Sequence, residues 1–67
     1  MPIVRVEMWP GRTQKVKNQL MVDITDVVVK NCGCPASAVT VVLTDIPKEN
    51  WALEGKPCVD AANVVEK

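Results

Sequence analysis

Val39-Thr40-Val41-Val42-Leu43-Thr44 is a near-continuous apolar run. A strand with one solvated face alternates apolar and polar residues, whereas an unbroken run rich in β-branched side chains suits a strand covered on both faces. Residues 39–44 therefore read as a central strand. Upstream, Val16, Leu20, Ile24, Val27, Val28 and Asn31 recur at three- and four-residue spacing, the stripe of an amphipathic helix, with Lys15, Lys17, Asp23, Asp26 and Lys30 mostly solvated. Met21, Val22 and Val29 widen the apolar surface beyond what one sheet covers, which fits contact with another subunit. Thr13 can cap the start of this helix with its hydroxyl, Gly33 suits its end, and Pro35 forbids its continuation.

Working outward again, Ile3 to Trp9 alternates. Ile3, Arg5, Glu7 and Trp9 fall on one face and Val4, Val6 and Met8 on the other, a strand with one apolar face that Pro10-Gly11 terminates. Strand, long helix and strand make a β-α-β unit with parallel strands, an α/β (α+β) arrangement. Downstream, Ile46 to Glu49 around Pro47 reads as a turn, and Trp51 to Lys56 with Gly55 as a short C-terminal hairpin. Pro57 to Lys67 has no clear period; it is a loose extension or a strand and helical turn lying on a neighbour. The organisation is one domain over residues 1–67, with 58–67 as a C-terminal extension.

Sixty-seven residues rarely bury enough surface to stand alone without disulfides, a metal or association. Three cysteines leave an odd thiol, and without histidine Cys32-Gly33-Cys34 does not complete a tetrahedral metal site; both are read as filler at a helix end, and Cys58 as a free thiol. Neither a metal nor a cofactor is expected. With 48% hydrophobic residues, association is the remaining route to stability. A formal net charge of zero and scattered basic residues offer no footprint for nucleic acid or an anionic membrane. No apolar run is long enough to span a bilayer, and free thiols without an export signal point to the cytoplasm. Arg5 and Glu7 share a strand face and read as an ion pair, which when exposed contributes about 0–1 kcal/mol.

Pro2 is the candidate for the chemistry. Removal of Met1 would leave a secondary amine at the N-terminus, and a buried amine beside a cation is a base near neutral pH. The alternative is that a small residue simply follows Met1 and Pro opens a strand.

Pro2 leading Ile3-Val4-Arg5-Val6-Glu7-Met8, then Gly11-Arg12-Thr13 with Gln14 and Lys15, then Asp45-Ile46-Pro47-Lys48-Glu49-Asn50-Trp51-Ala52-Leu53-Glu54-Gly55-Lys56, resembles the 4-oxalocrotonate tautomerase family over roughly residues 2–57. The resemblance implies a tautomerase that interconverts enol and keto forms of a 2-oxo acid. Pro2 would be its general base, moving a proton from the carbon beside a carbonyl along the conjugated system. It also implies a homo-oligomer, a hexamer, with neighbouring chains contributing to each pocket and a small-molecule carboxylate as substrate. Arg12 matches the family arginine that grips a carboxylate through two parallel hydrogen bonds, where the bland reading is a surface arginine at a helix start. Trp51 matches the aromatic wall that keeps the amine dry, and it equally suits a subunit contact.

Thr40 departs from the pattern. The matching position often holds a second arginine, and Thr40 offers one neutral hydrogen bond instead. An aryl pyruvate enol, or a broad and slow activity, becomes more plausible beside a 2-hydroxymuconate-like dicarboxylate. Relatives that hydrate halogenated acrylates need a carboxylate where this chain has Leu53, and Glu54, one residue on, should face away in an extended hairpin. Hydration with dehalogenation is thus a minor alternative, and a non-catalytic oligomeric scaffold is another.

Overall fold

The computed structural model describes residues 1–59. The elements follow in the order β1 (Ile3–Met8), α1 (Gln14–Cys32), a 3₁₀ turn (Ala36–Ala38), β2 (Thr40–Asp45), a second 3₁₀ turn (Lys48–Asn50), β3 (Ala52–Leu53) and β4 (Lys56–Pro57). β1 and β2 pair in parallel, from Ile3 beside Thr40 to Met8 beside Asp45. β3 and β4 pair antiparallel. The β-α-β unit and the closing hairpin are those expected; residues 60–67, the greater part of the C-terminal extension, lie outside the described residues.

Local chemistry sets each boundary. Val4, Val6 and Met8 are half-buried while Ile3, Arg5 and Glu7 are exposed, the two-residue period of a one-sided strand. The Thr13 hydroxyl accepts from the Val16 N–H at 3.3 Å, satisfying one of the first-turn donors that no carbonyl reaches. Gly33 closes the helix in the left-handed region at φ 70°, with its N–H donating to the Val29 carbonyl at 3.0 Å. In the hairpin, Glu54 at φ 54° and Gly55 at φ 77° are both left-handed, as a tight two-residue turn between twisted strands requires.

Three expectations need correction. The inward face of α1 is centred on Leu20, Met21, Ile24, Thr25 and Val28, all half-buried, whereas Val16 and Val27 are 51% and 58% exposed and Asn31 is exposed. The stripe is rotated because Lys17 lies on it. Its ammonium meets the Asp45 carboxylate at 2.7 Å, fixing the helix to the end of β2, and its side chain is only 16% exposed. Secondly, β2 is not central within one chain. It is one of two strands, and only Val41 and Leu43 are sheltered while Thr40, Val42 and Thr44 are exposed. Thirdly, Arg5 and Glu7 are not an ion pair, since the ion pair among the described residues joins Lys17 to Asp45. Side chains two residues apart on a strand are separated by about 7 Å along it, and both extend into solvent instead.

No residue of the described chain is fully buried. Ile3, Val22, Val27 and Leu53 each expose more than half their surface, and Val4, Ile24, Val27 and Val28 line an open groove beside the helix. With no sealed core among the described residues, this exposed apolar surface favours association with other copies. Unfolding is therefore expected to shift to higher denaturant as protein concentration rises. Sedimentation at micromolar concentration checks this, and a folded monomer there contradicts it.

Candidate active site

The residues singled out from the sequence fall into two groups at opposite ends of β1. Pro2 precedes the strand and is half-buried; its carbonyl accepts from the Thr40 N–H at 3.0 Å, the first rung of the parallel ladder. That rung fixes Pro2 and Thr40 side by side. Met1 projects beyond them, 86% exposed.

At the other end the Met8 carbonyl accepts from the Ile46 N–H at 2.8 Å, and the chain then leaves the sheet. Gly11, at φ 124°, allows the turn that brings Arg12 back. The Arg12 Nη1 donates to the Trp9 carbonyl at 3.2 Å, and the rest of its guanidinium faces solvent. Trp51 reaches the same place from the C-terminal side. The second 3₁₀ turn sets it there, its N–H donating to the Lys48 carbonyl at 3.1 Å, and the Cys58 N–H donates to the Trp51 carbonyl at 2.9 Å. The Trp9 and Trp51 rings meet edge to face, with centroids 5.9 Å apart and planes at 75°. Such a contact adds about 0.5–1.5 kcal/mol beyond the area it covers.

Two residues of this cluster were not singled out as site residues from the sequence. Alternation puts Trp9 on the face of Ile3, Arg5 and Glu7, but the strand ends at Met8, and Trp9 meets the Trp51 ring. The Lys48 Nζ sits over the Trp9 ring, 4.7 Å from its centroid. The signal available was that Trp9 and Trp51 are the chain's two aromatic residues, and that Lys48 lies three before the second of them.

Pro2 and Trp9 bracket a six-residue strand, so the two groups stand roughly 20 Å apart within one chain. One chain thus brings Pro2 to Thr40, and both Arg12 and Trp51 to Trp9, and does not bring the two groups together. Glu54 is not in an extended arm; it occupies the hairpin turn, exposed. Cys32, Cys34 and Cys58 are all free thiols. Among the described residues no three His, Cys, Asp or Glu side chains gather as metal ligands, and no helix is long and apolar enough to cross a membrane. The cationic, aromatic end is suited chemically to a flat carboxylate, and the Pro2 end to proton transfer once its nitrogen is an amine.

Comparison with known proteins places the family and the fold. The sequence profile described as tautomerase enzyme matches residues 2–61. The protein named probable tautomerase from Streptococcus pneumoniae serotype 4 is 39% identical over 56 residues, covering 84% of this chain and 93% of that one. A 2-hydroxymuconate tautomerase from Comamonas testosteroni is 34% identical over 55 residues, covering 82% and 87%. Among solved structures, TomN, a 4-oxalocrotonate tautomerase homologue of the tomaymycin biosynthetic pathway, superposes with a TM-score of 0.80 at 28% identity, covering 85% of this chain and 88% of that one.

Proposed function

The chain belongs to the tautomerase family, and from that premise we propose that it interconverts the enol and keto forms of a 2-oxo acid, with the Pro2 amine as general base after loss of Met1. The observation that carries the reading is the placement of Pro2 half-buried at the mouth of the β1–β2 ladder, beside Thr40, on a chain whose Arg12 and Trp51 form a carboxylate-suited cluster at the other end. Isomerase activity follows from the family. The base, the binding residues and the substrate class are our assignment.

The amine lone pair takes the enol hydroxyl proton, the carbon–carbon double bond shifts to make the carbonyl, and the prolinium returns a proton to the distal carbon. No atom is gained or lost. Arg12 holds the carboxylate by a charge-assisted fork, and Trp51 excludes water so that the amine stays neutral. Thr40, next to Pro2, donates a neutral hydrogen bond toward the forming carbonyl, weaker than an arginine would supply.

Since Pro2 and Arg12 lie roughly 20 Å apart in one chain, the working pocket is composite. Two copies related by a two-fold axis place the Pro2 end of one against the Arg12 end of the other, and the exposed apolar surface supplies the association. A hexamer built from such dimers, in the cytoplasm, is our proposed working form. A small-molecule 2-oxo acid carboxylate, an aryl pyruvate enol ahead of a 2-hydroxymuconate-like one, is the proposed substrate.

The test is ketonisation of both enols by Met1-free protein, followed by absorbance. Absence of turnover with either enol rejects the reading and leaves the scaffold alternative. Thr40→Arg then probes the pocket: it is expected to raise kcat/KM for the dicarboxylate over that for the aryl pyruvate by about tenfold, because only the former offers a second carboxylate. A folded, oligomeric Thr40→Arg protein with that ratio unchanged removes Thr40 from the pocket.

A further inference from the structure

Two cationic donors, Arg12 and Lys48, converge on Trp9, whose own indole N–H is a third donor, and among the described residues no side-chain acceptor meets them. Arg12 spends one N–H on the Trp9 carbonyl and keeps the rest of its fork. Lys48 rests its ammonium on the ring face at 4.7 Å. The indole Nε1 of Trp9 is shut off from solvent and has no hydrogen-bond partner among the described residues. A buried N–H in that state costs about 1–3 kcal/mol. Among the described residues neither cation is matched by a carboxylate; the ion pair there is that of Lys17 and Asp45. Two positive charges and an orphan donor around one ring in a chain of zero net charge call for an anionic acceptor from outside.

We propose that Lys48 is a second carboxylate-binding residue, acting with Arg12 on the same substrate carboxylate, and that the Trp9–Trp51 pair takes the flat conjugated or aryl group attached to it. This rests on the tautomerase reading and narrows its substrate class. On binding, the ammonium leaves the ring face for the carboxylate, exchanging a cation–π contact for a charge-assisted hydrogen bond. The 3₁₀ turn makes the placement reproducible: Trp51 N–H bonds the Lys48 carbonyl, so the wall and the cation are carried by one rigid unit. Thr40 leaves the Pro2 end uncharged, and Lys48 adds its charge at the Arg12 end. The site therefore concentrates its cations on one carboxylate rather than dividing them between two.

The chain's two tryptophans both lie in this cluster and it contains no tyrosine, so intrinsic fluorescence reads the site directly, without turnover. The experiment titrates the full, oligomeric protein with phenylacetate and with its uncharged isostere phenylacetamide. Lys48→Met keeps an apolar stem on the ring and removes the charge; Lys48→Arg keeps the charge. Phenylacetate binding is expected to weaken about tenfold in Lys48→Met and to be largely retained in Lys48→Arg, with phenylacetamide binding the same in all three proteins. Equal phenylacetate affinity in wild type and Lys48→Met, loss of equal size for phenylacetamide, or equal loss in both variants overturns the assignment, as does failure of the wild type to bind phenylacetate at millimolar concentration. Ketonisation measured alongside separates the two readings. Charge-dependent binding without turnover rejects the tautomerase reading alone, and turnover with Lys48-independent binding rejects Lys48 alone.

Discussion

Pro2→Ala, with Met1 removed from mutant and wild type alike, is expected to lower kcat/KM for enol ketonisation by roughly 10²- to 10⁴-fold, the range a positioned general base supplies. The fold is expected to survive. Proline contributes no N–H to the ladder, and what it does contribute, the carbonyl that accepts from Thr40 at 3.0 Å, is present in alanine too. What changes is the basic nitrogen, a primary amine with different basicity, an extra N–H and no ring to hold its lone pair in place. Protein that retains Met1 makes the companion measurement. Its Pro2 nitrogen is an amide without useful basicity, so activity should be lost to a similar degree with the catalytic side chains untouched. The pH profile carries the sign: a neutral amine is required, so activity should climb as pH rises through the amine's titration, and retained Met1 should abolish that limb. Equal activity in wild type and Pro2→Ala ends the catalytic assignment.

Most of the backbone was legible because short-range chemistry decides it. Thr13 and Gly33 stand where hydroxyl capping and left-handed backbone require, Gly55 falls in the hairpin turn although Glu54 joins it there instead of lying in an extended arm, and the β1 alternation placed Val4, Val6 and Met8 correctly. The helix face was legible only in part. Counting apolar residues put Val16 and Val27 inward and Lys17 outward, since periodicity registers hydrophobicity and is blind to a lysine whose partner, Asp45, lies 28 residues away. β2 illustrates the opposite limit. Its apolar run promises cover on both faces, and one chain covers only one of them. The candidate site was legible residue by residue but not as an arrangement. Nothing in the spacing says that Trp9 abandons the strand period to meet Trp51, or that Lys48 lands on its ring, because both depend on where the 3₁₀ turn delivers the chain.

Co-refolding Pro2→Ala subunits with Arg12→Ala subunits is expected to recover about one quarter of wild-type activity from two parents that are each nearly inactive. Arg12→Ala alone should weaken substrate binding by roughly 2–5 kcal/mol if the charge pair is desolvated, and Pro2→Ala alone removes the base. In a pocket that draws Pro2 from one chain and Arg12 from its neighbour, a mixed pair of subunits makes one site with both defects and one with neither. Random mixing gives each site a one-in-two chance of an intact Pro2 and, independently, a one-in-two chance of an intact Arg12, hence about one quarter of sites wild type. If both residues instead served a pocket within one chain, every site would carry one defect or the other and mixing would restore nothing. The roughly 20 Å that β1 puts between Pro2 and the Arg12 end is why the first outcome is expected. Native mass spectrometry of the refolded sample verifies that the two chains share an oligomer, and wild-type protein taken through the same cycle fixes the full scale. Activity that stays at the average of the two parents, in oligomers shown to be mixed, would falsify the composite pocket and with it the pairing of Pro2 and Arg12 across chains.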